Sequence, residues 1–168
     1  KTGTLTQNRM HVGEMLRDEG VPLHEFAEVI AVNTTAFLDA EGKHVGNPTE
    51  GALLEWLGAQ GEDYAALRRG AQIVDRMTFT TERKYMATVV RSGITGRRLI
   101  CVKGAPEIVR SMCAEAWPDE TAARLAEYQS RAMRTLGIAW GVAEAEDCAT
   151  CIAAGGLRYA GIAALSDP

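Results

Sequence analysis

Residues 73–103 read Ile73-Val74-Asp75-Arg76-Met77-Thr78-Phe79-Thr80, a charged turn Thr81-Glu82-Arg83, then Lys84-Tyr85-Met86-Ala87-Thr88-Val89-Val90-Arg91. The run continues with Ser92-Gly93-Ile94-Thr95-Gly96-Arg97 and closes on Arg98-Leu99-Ile100-Cys101-Val102-Lys103. Three segments rich in β-branched and apolar residues are divided by short breaks of charged, Ser, Thr and Gly residues. Breaks of that length favour antiparallel neighbours, because parallel strands need a much longer crossover. The middle third therefore predicts strands over Ile73–Thr80, Lys84–Arg91 and Arg98–Lys103.

Upstream, Met10–Leu16 predicts another strand. Pro22 then opens a helix on which Leu23, Phe26, Ala27 and Ile30 share one face. A loop over Asp39–Val45 leads to Gly46-Asn47-Pro48-Thr49-Glu50, where Asn47 suits an N-cap and Pro48 the first helical position. Leu53, Leu54 and Leu57 follow as core candidates, and Gly61–Gly70 reads as a short polar helix or loop. Downstream, Ala105-Pro106-Glu107 starts a helix. Asp119 caps a longer one carrying Ala122, Leu125, Ala132, Met133 and Leu136. Ile138–Ala143 and Leu157–Leu165 are strands with a loop between them. No internal repeat or low-complexity segment interrupts this order. The fold class is α+β, a mainly antiparallel sheet flanked by helices.

A length of 168 residues points to one domain. The 46% hydrophobic and 24% charged composition is that of an ordinary globular protein. A net charge of −4, with both signs interspersed, argues against nucleic acid or an anionic membrane surface as partner. No run approaches the roughly 18 apolar residues of a membrane span. The chain opens on Lys1-Thr2-Gly3-Thr4, not on the apolar run of a signal peptide. Of four cysteines, Cys148 and Cys151 form a C-x-x-C. With no second pair and no nearby histidine they are expected to be ordinary loop or strand cysteines in a reducing compartment.

Five strings carry a resemblance. Lys1-Thr2-Gly3-Thr4-Leu5-Thr6 matches the tail of the D-K-T-G-T-L-T signature of P-type ATPases. Gly46-Asn47-Pro48-Thr49-Glu50-Gly51-Ala52-Leu53 is similar to that family's G-x-x-T-E-x-A-L. Phe79-Thr80-Thr81-Glu82-Arg83-Lys84-Tyr85-Met86 resembles F-x-S-x-R-K-x-M, and Lys103-Gly104-Ala105-Pro106-Glu107 matches K-G-A-P-E. Asp167-Pro168 looks like the start of D-P-P. Together the strings span the chain, which resembles the nucleotide-binding domain of a P-type cation-transporting ATPase.

The resemblance implies residues 1–9 as a remnant of the hinge to a phosphorylation domain, 10–164 as the nucleotide-binding domain and 165–168 as the return hinge. The aspartate that takes the γ-phosphoryl group would stand one position before Lys1, so the chain alone is expected to be catalytically silent, although the intact pump is an ATP hydrolase. ATP or ADP is the implied ligand, with Mg2+ joining in the intact pump and Thr2 near the phosphate and magnesium; no metal ligand is expected in this chain. The implied partners are the phosphorylation, actuator and transmembrane domains of the same polypeptide. The implied place is the cytosolic side of an integral membrane protein, with the isolated domain a monomer.

Each implied site residue also has a plainer reading. Phe79 offers a ring on which adenine stacks, or it is core. Lys84 brings a cation to the phosphates or is an ordinary solvent-exposed lysine, and Met86, alternating with it on one strand face, lines the base pocket or packs in the core. Lys103 reaches base or phosphate at a strand end, and Gly104 lets a ligand lie against the backbone. Replacing Lys103 is expected to weaken binding without loss of stability. Glu50 accepts from the adenine amino group, or serves as the carboxylate of a capping box begun by Asn47.

Two departures stand out. Thr81 occupies a position where many calcium pumps carry arginine, and Arg134-Thr135-Leu136-Gly137-Ile138-Ala139, set against T-L-R-x-L-A, has Gly137 for the arginine. Arg83, Arg131 and Arg134 are candidate substitutes. The blocks look most like calcium pumps. A magnesium or sodium/potassium pump, or an interaction domain that keeps the fold without the ligand, are the alternatives.

Overall fold

The computed structural model describes residues 9–167; the Lys1–Thr6 string, Thr2 and Pro168 lie outside them. Six strands form one antiparallel sheet: β1 (His11–Arg17), β4 (Gln72–Met77), β5 (Tyr85–Arg91), β6 (Arg98–Gly104), β7 (Arg134–Val142) and β8 (Arg158–Ser166), ordered β1-β8-β7-β6-β5-β4. The three central predicted strands are β4, β5 and β6, and they pair as successive antiparallel neighbours.

Their near-continuous apolar runs have a simple cause, because the sheet is covered on both faces. Along β6, Leu99 and Cys101 join the cluster built with α1 (Leu23–Val32), α2 (Pro48–Ala59) and α3 (Tyr64–Gly70). Ile100 and Val102 point the other way, into the cluster with α4 (Pro106–Ser111), α5 (Asp119–Ser130) and α6 (Cys148–Ala154). This is the two-residue period of a strand used twice. Phe26, Leu53, Leu54 and Leu57 are fully buried, as expected.

Four local readings are corrected. Residues 39–45 are not all loop, because His44–Val45 (β3) pairs with Phe37–Leu38 (β2) in a small ribbon. Asp119 is the first residue of α5, and the cap position falls to Pro118, which makes no side-chain cap bond. That helix stops at Ser130 and does not run on to Leu136. Ala132 takes φ 58°, Ala132 N–H donates to the Gln129 carbonyl at 3.0 Å and Met133 N–H to the Tyr128 carbonyl at 3.1 Å. Those two bonds are a Schellman close with alanine in the left-handed position that glycine usually fills. The loop before β8 contains α6, capped by the Asp147 side chain on Thr150 N–H at 2.9 Å. Cys148 and Cys151 therefore sit on a helix, both buried and both free thiols; burial pushes the Cys148 thiol up to about 11.

Candidate functional site

A cleft of about 760 Å³ opens where the start of α2, the β4–β5 turn, the end of β6 and the α5–β7 junction meet. Glu50, Phe79, Lys84, Met86 and Lys103 all line it. The volume is within the range of small-molecule sites.

Phe79 lies beyond the end of β4 and is 56% exposed, so its ring is not a core residue. Lys84 lies in the turn and not on the β5 face. Its φ is 65°, its N–H closes on the Thr80 carbonyl at 2.7 Å, and the Arg83 N–H meets Thr80 Oγ1 at 2.9 Å. Lys84 and Met86 therefore do not alternate along one strand face as expected, although both reach the same cleft. Gly104 is not on the lining. A Cβ there would stand 2.4 Å from the Lys84 carbonyl oxygen, and the glycine lets β6 approach that turn, where Ala105 N–H donates to the Lys84 carbonyl at 3.0 Å.

The floor is a buried ion pair. Glu50 and Lys103 are 6% and 7% exposed, with Nζ 2.8 Å from Oε2. Glu50 Oε1 accepts from Thr35 N–H at 2.9 Å and Ala36 N–H at 3.0 Å. Asn47 does cap α2, accepting from Glu50 N–H at 3.1 Å. The reciprocal half of a capping box is not made, because the Glu50 carboxylate faces Thr35, Ala36 and Lys103 instead. Burial pushes the Glu50 carboxyl up, but the Lys103 ammonium and the two amides outweigh it and hold it below the ordinary range. Burial lowers the Lys103 ammonium, against the pull of Glu50.

Lys103 also donates to the Asn33 carbonyl oxygen and to Met86 Sδ, the latter at 3.1 Å. Its structural role is thus larger than its sequence position suggests, and the expectation that it can be removed without loss of stability is corrected. The partner at Asn33 is 70 residues away in the chain, so no local pattern announced it.

Arg134 lines the cleft, with its Nε 3.0 Å from Asp167 Oδ1. Laying the family string three residues earlier puts Arg134 on its arginine and Leu136 on its leucine. A Cβ at Gly137 would instead meet Pro106, Trp117 and Val109 at 3.2–3.3 Å, which leaves no room for arginine. Thr81 lines the cleft, whereas Arg83 bonds the Thr78 carbonyl and Arg131 pairs with Glu14 and Glu127. Met133 and Leu136, expected on the helix, line the cleft as well, together with Thr135. The positive φ at Ala132 is what turns them there. Among the described residues no group of three or more His, Cys, Asp or Glu is placed to hold a metal ion.

A family model described as P-type ATPase, cytoplasmic domain N, matches residues 23–168. The chain is similar to a "Probable cation-transporting P-type ATPase" of Mycoplasma pneumoniae, 30% identical over 82% of this chain and 15% of that protein. It is also similar to "Calcium-transporting ATPase 1" of Lactococcus lactis, 31% identical over 71% of this chain and 14% of that protein. A third relative, "Probable cation-transporting ATPase F" of Mycobacterium bovis, is 28% identical over 100% of this chain and 23% of its own length. The chain thus spans less than a quarter of each of these relatives.

The ion pair generates a stability prediction. Lys103→Met and Glu50→Gln should each lower unfolding free energy by about 3–5 kcal/mol, since each strands a buried partner. The double variant should recover much of that loss, giving a coupling well above the 0.5 kcal/mol or so expected of independent sites. The Glu50 contribution is present above the ordinary carboxylate pKa and is lost as pH falls through its lowered folded value. Denaturant titration across acid pH, with Glu50→Gln flattening the acid limb, checks both the coupling and the sign.

Proposed function

The chain belongs to the family of P-type ATPase cytoplasmic N domains, and on that premise we propose that it holds ATP for a membrane cation pump and presents the γ-phosphate to an aspartate preceding Lys1 in the neighbouring phosphorylation domain. The observation that carries this reading is the pairing of an exposed Phe79 ring with the buried Glu50–Lys103 pair in one cleft. The exposed ring of Phe79 offers a flat apolar surface on which a purine can stack. Stacking of this kind is worth about 1–3 kcal/mol per base. Glu50 and Lys103 hold fixed positions on the same lining.

Cations differ from one part of the cleft to another. Lys103 is buried, whereas Arg134 is exposed, with a side-chain exposure of 65%, and Lys84 stands on the β4–β5 turn. A base held in the cleft, with its phosphates running toward Lys84 and Arg134, uses both kinds. Glu50 is the sole carboxylate among the lining residues, and its oxygens are committed to Lys103, Thr35 and Ala36. Phosphoryl transfer needs a nucleophile and a magnesium cage, so in this reading both come from the phosphorylation domain, with Thr2 beside them. ATP with Mg2+ is the cofactor set of the intact pump. The chain itself binds and orients.

Residues 10–164 then form the nucleotide-binding unit, with 1–9 and 165–168 as its connections to the phosphorylation domain. The "Calcium-transporting" name of the Lactococcus lactis relative supports calcium as the cation, carried by transmembrane segments outside these residues. No helix among the described residues is long and apolar enough to cross a membrane, which fits a domain on the cytosolic face of the pump.

Titration with ATP and ADP, followed by backbone amide NMR, tests the reading. Both nucleotides should bind with dissociation constants of about 0.1–3 mM and within tenfold of each other. Phe79→Ala should weaken binding by about 1–3 kcal/mol and leave the fold intact. Shifts absent at saturating nucleotide would instead identify a fold-retaining interaction domain. A second outcome follows from the committed carboxylate: γ-labelled ATP should leave no acid-stable label on the 168-residue chain. Stoichiometric label on any residue would overturn the division of labour.

A further inference from the structure

We propose that Asn33, which does not line the cleft, is the positioning residue that decides where Lys103 offers its exchangeable hydrogen bond to a nucleotide; the proposal rests on the nucleotide reading above. An ammonium has three hydrogens. In Lys103 all three are committed, to Glu50 Oε2 at 2.8 Å, to the Asn33 carbonyl and to Met86 Sδ at 3.1 Å. A ligand can therefore contact Lys103 only by displacing one of these acceptors. The carboxylate and the main-chain carbonyl are strong acceptors, and the thioether is a weak one. Met86 Sδ is the acceptor that yields.

Asn33 fixes both ends of that exchange. It is the C-cap of α1 and is 1% exposed. Its carbonyl takes the Lys103 ammonium. Its side chain holds the strand that carries the group to be displaced, with Nδ2 donating to the Met86 carbonyl at 3.2 Å and Oδ1 accepting from Thr88 Oγ1 at 2.7 Å. Thr88 Oγ1 in turn accepts from Arg76 Nε at 3.1 Å. One buried residue thus sets the distance between the donor on β6 and the thioether on β5, and it does so from a third element.

The charged groups facing Lys103 are Glu50 from α2, Arg76 from β4 and Arg68 from α3. Burial lowers the ammonium, the two guanidiniums lower it further and Glu50 opposes them. The hydrogen bond that Lys103 gives to the nucleotide is charge-assisted while the lysine is protonated, so affinity falls as pH rises through the Lys103 pKa. Asn33→Asp keeps the acceptor for Thr88, loses the donor to Met86 and adds a carboxylate on the residue whose carbonyl already holds Lys103.

The test is ADP binding to the 168-residue chain, followed by NMR shifts across neutral to alkaline pH. Asn33→Asp should weaken ADP binding at neutral pH at least about threefold, the scale of one repositioned hydrogen bond. It should also move the loss of binding to higher pH, because the added carboxylate raises the Lys103 pKa. A residue with a merely structural role would lower unfolding stability and leave the ADP affinity of the folded chain as it is, and weaker binding with an unmoved midpoint also overturns the proposal. Unchanged binding overturns it equally. If Asn33→Asp does not fold, Thr88→Val removes the donor to Asn33 Oδ1 without adding charge. It should weaken ADP at least about threefold, with Thr88→Ser restoring wild-type binding, and wild-type affinity in Thr88→Val overturns the proposal. Failure of the unmodified chain to bind ADP would be a failure of the nucleotide reading itself.

Discussion

Three cations from three different elements converge on the carbonyls at the C-terminal end of α1, and the rest of the structure is arranged around that convergence. Arg68 of α3 bonds the carbonyls of Ala31, Thr34 and Ala36 at 3.0, 3.1 and 2.7 Å. Arg76 of β4 bonds that of Val32, and Lys103 of β6 that of Asn33. A helix end leaves its last carbonyls unpaired and carries partial negative charge, so cations are the natural cap. Burial lowers both arginines as well as the lysine, and Glu50 is the carboxylate that acts on all three. Its position at the start of α2, with Asn47 capping ahead of it, locks that helix to the same point.

This arrangement divides the cleft into two parts of different character. At one, Glu50, Lys103 and Met86 are buried and mutually bonded, and their positions are set by elements that also build the core. At the other, Lys84 and Arg134 stand on a turn and at a strand start. A rigid part suits recognition of a base by stacking and fixed hydrogen bonds. On the proposed reading, the open part suits phosphates passed to another domain, because loosely held charge is easily shared with incoming ligands. The carboxylate of the cleft is spent on structure, bonded to Lys103, Thr35 and Ala36.

Much of the sheet and five of the residues lining the candidate cleft were legible in the sequence, for identifiable reasons. The β5 and β6 runs were long, apolar and closely spaced, and Asn47-Pro48 is a strong start signal whose helix began as expected. Glu50, Phe79, Lys84, Met86 and Lys103 stood in strings whose order and spacing survive into one cleft. What could not be read was long-range or depended on an unusual local choice. The end of α5 escaped because alanine, not glycine, takes the left-handed position at 132. Helix α6, seven residues long, is too short to show a helical period. The burial of Lys103 depends on Asn33, and nothing near either residue in the chain signals the other.

The central claim is that a base lies against Phe79 beside the buried pair held on the end of α1. The most direct measurement is a set of intermolecular nuclear Overhauser effects between the adenine H2 and H8 protons of ATP and the domain, with methionine methyls labelled. The account predicts contacts from adenine to the Phe79 ring and to the Met86 methyl. Contacts only to the hollow beside Trp140 and Arg158, with Phe79 and Met86 silent at saturation, would contradict it.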